Sequence, residues 1–354
     1  SATGLSDRMR LGQVAEVALD DRVALRLRFE GAVPPPQSLY FRGPVLAAFD
    51  GTEWRPLLPH FPPAQQPQAE LRTTGPALRY EMTLEPLRLP TLPLLEASPG
   101  APKLEGYRVR GTADLQWLID RPVTERLRFR AEAHLSFQHG PLQTVLGLQD
   151  YLDLPPGFNP RTLAWAAELR RDPALARAGA RELAQHLMKH IRQGGFTYTL
   201  APGEYGRNAI DDFWFDRKEG FCEHFAAAFV VLMRALGVPA RIVTGYQGAD
   251  PQPVDDYYIV RQSDAHAWAE YWQAGSGWVR ADPTAAVAPD RIQRSLRLAA
   301  PPGLVAGTIA AVSPQLMQRL REAWEAIDNR WNQWVLNYSR GQQFDLLKGL
   351  GVWP

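Results

Sequence analysis

The sequence predicts an α+β fold, and three observations carry that reading. Of its 31 prolines, 17 fall before residue 150, with short alternating segments between them. Proline at that density breaks long helices, whereas alternation of apolar and polar residues suits half-buried strands. From about residue 150 the apolar period lengthens to the spacing of a helix face, and an aromatic stripe recurs at helical spacing from Leu316 to Tyr338. The 354 residues therefore divide into an antiparallel β domain (1–148), a mixed helix-and-strand core (149–290), and a wrapping linker with a long amphipathic C-terminal helix (291–354).

Taken in order, Gln13–Leu19, Val23–Phe29, Leu78–Leu84 and Arg126–Glu132 alternate as strands do, and Asp50-Gly51 is a turn signal. Asn159-Pro160 opens a helix carrying Leu163, Ala167 and Leu169. A second helix spans Ala180–Gln193, with Leu183, Leu187 and Ile191 at four-residue spacing and Gly194-Gly195 as its stop. His186 and His190 on it have metal-like spacing, but without a third ligand they read as a partly solvated face. A third helix starts near Cys222, carries Phe225, Phe229, Leu232 and Leu236, and ends at Gly237 and Pro239. Strand-like segments follow at Ala240–Gly245, Tyr257–Gln262, Ala265–Trp272 and Trp278–Asp282. Residues 284–312 are rich in Ala, Pro and Gly, and Ser313-Pro314 has the chemistry of a helix start. The aromatic stripe beyond it is expected to pack on the protein or to lie near a membrane surface.

Charge excludes some partners. With 39 basic and 38 acidic side chains the chain has no electrostatic footprint for nucleic acid. Ser1–Arg10 lacks the apolar run of a signal peptide, and the longest clean apolar run, Phe225–Met233, stops at Arg234. A soluble piece is expected, free-standing or excised from a larger protein.

Cys222 is the single cysteine, which excludes an internal disulfide framework and any zinc site with two thiolates. A buried small hydrophobe, an intermolecular bridge or a working thiol remain. Its place at a helix start favours the last, because unpaired N–H groups and the positive dipole end there are expected to lower the thiol pKa. Gly220 before it lets the backbone turn closely. A thiol nucleophile needs a base, and the base needs an orienting partner. His224 lies two residues along the helix and points elsewhere. His266 is the better base, sharing one strand face with Trp268, Glu270 and Trp272. Pairing His266 directly across from Asp282 in a hairpin also pairs Trp268 with Arg280, Glu270 with Trp278 and Trp272 with Ser276. It leaves Gln273-Ala274-Gly275 as the loop and predicts a Cys222–His266–Asp282 triad.

The segments Gly220–Ala226, Arg234–Tyr246, Ala265–Glu270 and Gly277–Thr284 resemble the nucleophile, histidine and aspartate blocks of the transglutaminase-like superfamily. Spacings of 44 residues from Cys222 to His266 and 16 from His266 to Asp282 fit that layout. Thr3–Met9, Tyr40–Gly43, Phe49–Trp54 and the Trp-rich C-terminal helix are similar to the periplasmic region of bacterial inner-membrane transglutaminase-like proteins. The resemblance implies a papain-like core, with the nucleophile helix packed on an antiparallel sheet. It also implies a location at the periplasmic face of the inner membrane and membrane helices outside this fragment.

The implied chemistry is acyl transfer through a thioester, from a glutamine or other carboxamide of a protein or peptide to an amine, with no cofactor and no metal. The backbone N–H of Cys222 is the first expected oxyanion donor. Trp214 and Tyr198 are candidates for a second donor or for the cleft wall, with Tyr205 beside them. Asp211, Asp212 and Asp216 lack the spacing of a calcium loop and are expected to cap and solvate the approach to the helix. Arg241, Arg280 and Glu270 are expected to be structural. Three function classes compete: a transglutaminase-type acyltransferase; a cysteine peptidase or amidase with water as acceptor, acting on substrates such as cell-wall peptides; and a binding module retaining the fold.

Overall fold

The computed structural model describes residues 5–11 and 16–295. Numbered along the chain, the strands of its two larger sheets are β1 (Val23–Glu30), β2 (Tyr40–Leu46), β3 (Leu78–Leu84), β4 (Leu94–Leu95), β5 (Leu127–Ala133), β6 (Ala240–Gln247), β7 (Tyr258–Arg261), β8 (Ala265–Gln273) and β9 (Gly277–Ala281). One sheet has the order β5-β3-β1-β7 and the other β9-β8-β6-β2-β4, with every neighbouring pair antiparallel.

The expected division at residue 148 does not separate these sheets. Two strands from the first part, β2 and β4, extend the sheet that carries His266, and β7 from the second part completes the other. The join between β2 and β6 is tight. A Cβ on Gly245 would stand 1.8 Å from the carbonyl oxygen of Phe41, and the β2–β6 register shifts between Val243 and Gly245.

Helices α1 (Pro160–Arg171), α2 (Ala180–Gln193) and α3 (Cys222–Ala235) lie where the period predicts. Every residue of α3 from His224 to Arg234 is buried, which explains its apolar character on all sides. It packs on β8 and β6, with α1 and α2 against its other faces. Asp211 caps α1 from a distance: its carboxylate accepts from the Thr162 N–H at 2.7 Å and the Thr162 hydroxyl at 2.6 Å. A short helix, α4 (Pro289–Gln293), closes the described region.

One strand assignment fails. Glu16–Leu19 forms a 3₁₀ turn rather than the second half of an alternating strand, a case of local alternation without a neighbouring strand to pair with. The C-terminal helix expected beyond Ser313 lies outside the described residues.

Candidate active site

Cys222 is the first residue of α3 and is buried. The chain reaches it through a π-helical segment, Asp212–Arg217, and a short parallel pairing of Thr197-Tyr198 with Glu219-Gly220. That pairing brings Tyr198 to the nucleophile, where its hydroxyl oxygen accepts from the Cys222 N–H at 3.3 Å. Gly220 is required here, since a Cβ would lie 2.6 Å from that of His224. The His224 ring turns back to accept from the Phe221 N–H through Nδ1 at 3.2 Å, so it serves the helix start and leaves the base role to another residue.

His266 lies near the start of β8, beneath the α3 terminus. Its Nε2 meets Asp282 Oδ2 at 2.8 Å, whereas its Nδ1 is buried and has no hydrogen-bond partner. With Nε2–H donated to the carboxylate, Nδ1 carries the free lone pair. The thiol of Cys222 is held against the backbone of Ala267, the next residue on β8.

The hairpin register differs from the expected one by two residues. Glu270 pairs with Arg280, Trp272 with Trp278 and Gln273 with Gly277, which makes the turn Ala274-Gly275-Ser276. An even shift preserves which side chains share a face, so His266 and Asp282 still meet although they are not directly opposed. The register is set by Gly277, with a positive φ of 85° and a virtual Cβ only 2.1 Å from the His139 carbonyl oxygen.

The thiol expectation also needs correction. Burial, followed by the charge of Glu223, pushes Cys222 up to about 12, outweighing the help of the helix terminus. Burial likewise lowers His266, with Asp282 opposing. Burial would raise Asp282, yet the charge and hydrogen bond of His266 and the hydroxyl of Tyr40 hold it below the usual carboxylate range. These shifts favour a neutral thiol, a neutral imidazole and an ionised aspartate, and no hydrogen bond joins Cys222 to His266 Nδ1.

Two contributors had no role legible in the sequence. Tyr40, from β2, donates its hydroxyl to Asp282 Oδ2 at 2.6 Å, packs edge-on against Trp268 and lies under the Arg280 guanidinium at 4.0 Å. Arg291, on α4, donates to the carbonyl and side-chain oxygens of Gln247 at 3.0 and 2.7 Å and to the Asp264 carbonyl at 3.3 Å. It ties the end of β6 to the corner before His266, and its charge acts on Cys222, His266 and Asp282. Tyr40 lies in the Tyr40–Gly43 segment of the resemblance but without a role assigned there, and Arg291 has no sequence signal, because both act from outside the segments that carry the nucleophile, base and orienter.

The remaining candidates separate. Tyr198 touches Cys222, whereas Trp214 sits in an aromatic cluster, stacked on His190 at 4.8 Å and edge-on to Trp165 at 5.5 Å. The indole N–H of Trp214 is buried without a hydrogen-bond partner. Tyr205 donates to the Glu219 carbonyl and packs on His224. His186 and His190 are partly exposed, as expected, and one face of the His190 ring stacks on Trp214. Glu270 is structural, as expected: its carboxylate takes Arg42 at 2.7 and 2.9 Å, Arg241 at 2.9 Å and His139 at 3.0 Å. Arg280 pairs with Glu96 and Asp216 with Arg161.

Residues 1–138 match the TgpA N-terminal domain and residues 164–283 the transglutaminase-like superfamily. The chain is 35% identical over 354 aligned residues to a protein-glutamine gamma-glutamyltransferase of Pseudomonas aeruginosa, covering 96% of this chain and 50% of that protein. It therefore spans half the length of that relative. The crystal structure of the periplasmic domain of TgpA from P. aeruginosa is similar, with a TM-score of 0.74 at 36% identity over 83% of this chain and 98% of that one. The same domain bound to ethylmercury gives 0.72 at 37%, over 82% and 100%. Among the described residues no helix is long and apolar enough to cross a membrane.

Proposed function

The chain belongs to the transglutaminase-like superfamily, and from that membership we propose that it catalyses cysteine-dependent acyl transfer from a protein glutamine to an amine through a thioester. The supporting observation is the His266–Asp282 contact of 2.8 Å with Nδ1 left unpartnered, on the strand beneath the helix that begins with Cys222.

In this mechanism the Cys222 thiol gives its proton to His266 Nδ1 as sulfur attacks the carboxamide carbon. The site rests uncharged on both groups, so the ion pair forms only as the C–S bond does. Asp282, held ionised, stabilises the imidazolium and fixes its tautomer. The oxyanion takes the N–H of Cys222, which the Tyr198 oxygen accepts in the resting state, and the Tyr198 hydroxyl proton can turn to the same oxyanion. His266 then gives its proton to the departing nitrogen, ammonia leaves, and an amine attacks the thioester. The electron pair of the C–S bond returns to sulfur.

The test uses a glutamine-bearing acceptor protein and a fluorescent primary amine, with Cys222→Ala as control. Incorporation that requires Cys222 supports transfer. Release of ammonia or peptide fragments without incorporation would assign the same thioester to water, making the protein an amidase or peptidase. Silence in both assays would sink the enzyme reading. We also propose that the chain works at the periplasmic face of a bacterial inner membrane, flanked in the whole protein by membrane helices. Resistance of this region to external protease in spheroplasts of the source cell would refute that location.

A further inference from the structure

We propose that Arg291 is a positioning residue of the triad: its guanidinium ties the chain that follows Asp282 to the corner that precedes His266, and so sets how the two meet. The inference rests on the Cys222–His266–Asp282 reading and holds whether an amine or water takes the acyl group.

The need for such a tie lies in the hairpin. The β8–β9 ladder runs from the pair Gln273–Gly277 to the pair Ala269–Ala281, and there it ends. His266 lies three residues beyond that last pair and is fixed instead to β6, opposite Gly245. Asp282 lies one residue beyond it and belongs to no strand. No bond of the β8–β9 ladder therefore sets the base against its orienter, although misplacement by about 1 Å can cost roughly a hundredfold in rate.

Arg291 closes this open end. Asp282 Oδ1 accepts the Thr284 N–H at 3.1 Å, a helical turn follows at Thr284–Val287, and α4 then carries Arg291 back to the sheet. Its Nη1 donates to both oxygens of Gln247, the last residue of β6, and its Nη2 to the carbonyl of Asp264, two residues before His266. The Gln247 amide returns a bond to the Ile292 carbonyl at 3.4 Å. Arg291, Gln247 and Asp264 are all buried, where a lost hydrogen bond is not made good by water.

The choice of arginine fits this task. A planar fork of donors can span carbonyls on two segments, which a single ammonium does less well. Among the described residues the guanidinium meets two carbonyl oxygens and an amide oxygen but no carboxylate, so its charge stays available to the triad. Burial lowers His266, the charges of Asp282 and Asp264 raise it, and the charge of Arg291 lowers it further. Tyr40 and Cys222, the other titratable groups beside it, are both raised and stay neutral.

The experiment measures Cys222-dependent turnover per folded molecule, as amine incorporation and as ammonia release, in Arg291→Gln and Arg291→Lys. The mechanism needs a neutral His266 in the free protein, so the acid limb of kcat/KM follows its pKa. Arg291→Gln is expected to lower kcat by roughly ten- to a hundredfold with KM near its original value. It should also move the acid limb to higher pH, because a charge that lowers His266 is gone. Arg291→Lys should leave that limb in place yet keep only part of kcat, since the fork is lost. Gln247→Ala removes one acceptor and keeps the arginine, so a smaller fall in kcat with unchanged KM is expected there even if Arg291→Gln does not fold. Unchanged kcat in these variants, a loss confined to KM, or a lower kcat in Arg291→Gln with its acid limb unmoved would overturn the positioning role alone. Absence of Cys222-dependent turnover in the unaltered protein would overturn the triad reading and this role together.

Discussion

Tyr40 and His266 meet the same oxygen of Asp282, at 2.6 and 2.8 Å, although Tyr40 lies 242 residues from the aspartate in the chain. The N-terminal part thus reaches into the candidate triad, through a strand that also extends its sheet. Tyr40 touches no reacting atom and is a positioning residue. Tyr40→Phe removes one hydrogen bond to a buried charge and should lower kcat about tenfold while leaving KM near its original value. Steady-state kinetics on the amine-incorporation assay check this; a rise in KM with unchanged kcat would contradict it.

The thiol should resist simple alkylation. With Cys222 at about 12, roughly one thiol in ten thousand is ionised at pH 8. Iodoacetamide should therefore modify Cys222 far more slowly than it modifies free cysteine. Mass spectrometry of a timed labelling series measures this, and labelling as fast as free cysteine would show a thiolate already formed at rest.

Acid should destabilise the fold through His224. Burial pushes its imidazole down to about 4 from 6.5, so between those values the unfolded chain binds more protons than the folded one. Stability then falls as pH drops through that window, by up to about 2–3 kcal/mol for this group. Urea unfolding at pH 7 and pH 4.5 should show the loss, and His224→Gln, whose amide oxygen can still accept the Phe221 N–H, should reduce it. An unchanged pH dependence in that variant would remove His224 from the account.

Glu270 should matter more to folding than to chemistry. Burial opposes its charge, yet Arg42, His139 and Arg241 together hold it well below the usual carboxylate range. Glu270→Gln leaves Arg42 and Arg241 buried with less compensation, and should cost about 3–5 kcal/mol. Chemical denaturation gives the number. A loss below about 1 kcal/mol, the range of an exposed pair, would mean that water reaches the cluster.

Much of the architecture was readable from local pattern. The second helix falls on the expected residues, Ala180–Gln193, and the nucleophile helix starts at Cys222, since glycine stops and apolar spacing are properties of short segments. The hairpin was legible in its faces but not in its register. Alternation is blind to a shift of two, and the deciding contact, Gly277 against the His139 carbonyl, comes from a distant part of the chain. The ionisation state of Cys222 was misjudged for a related reason: a helix terminus is visible in sequence, whereas the burial that outweighs it is not.

By itself the sequence determined the residue types, their order and their spacing: one cysteine at a helix start, a histidine and an aspartate on adjoining strands, and the superfamily to which the chain belongs. Only the tertiary structure decided that Tyr40 and Arg291 join them and that Tyr198 rather than Trp214 touches the nucleophile. Spacing encodes what neighbouring residues can do, but burial and long-range pairing arise only when distant strands close on one another.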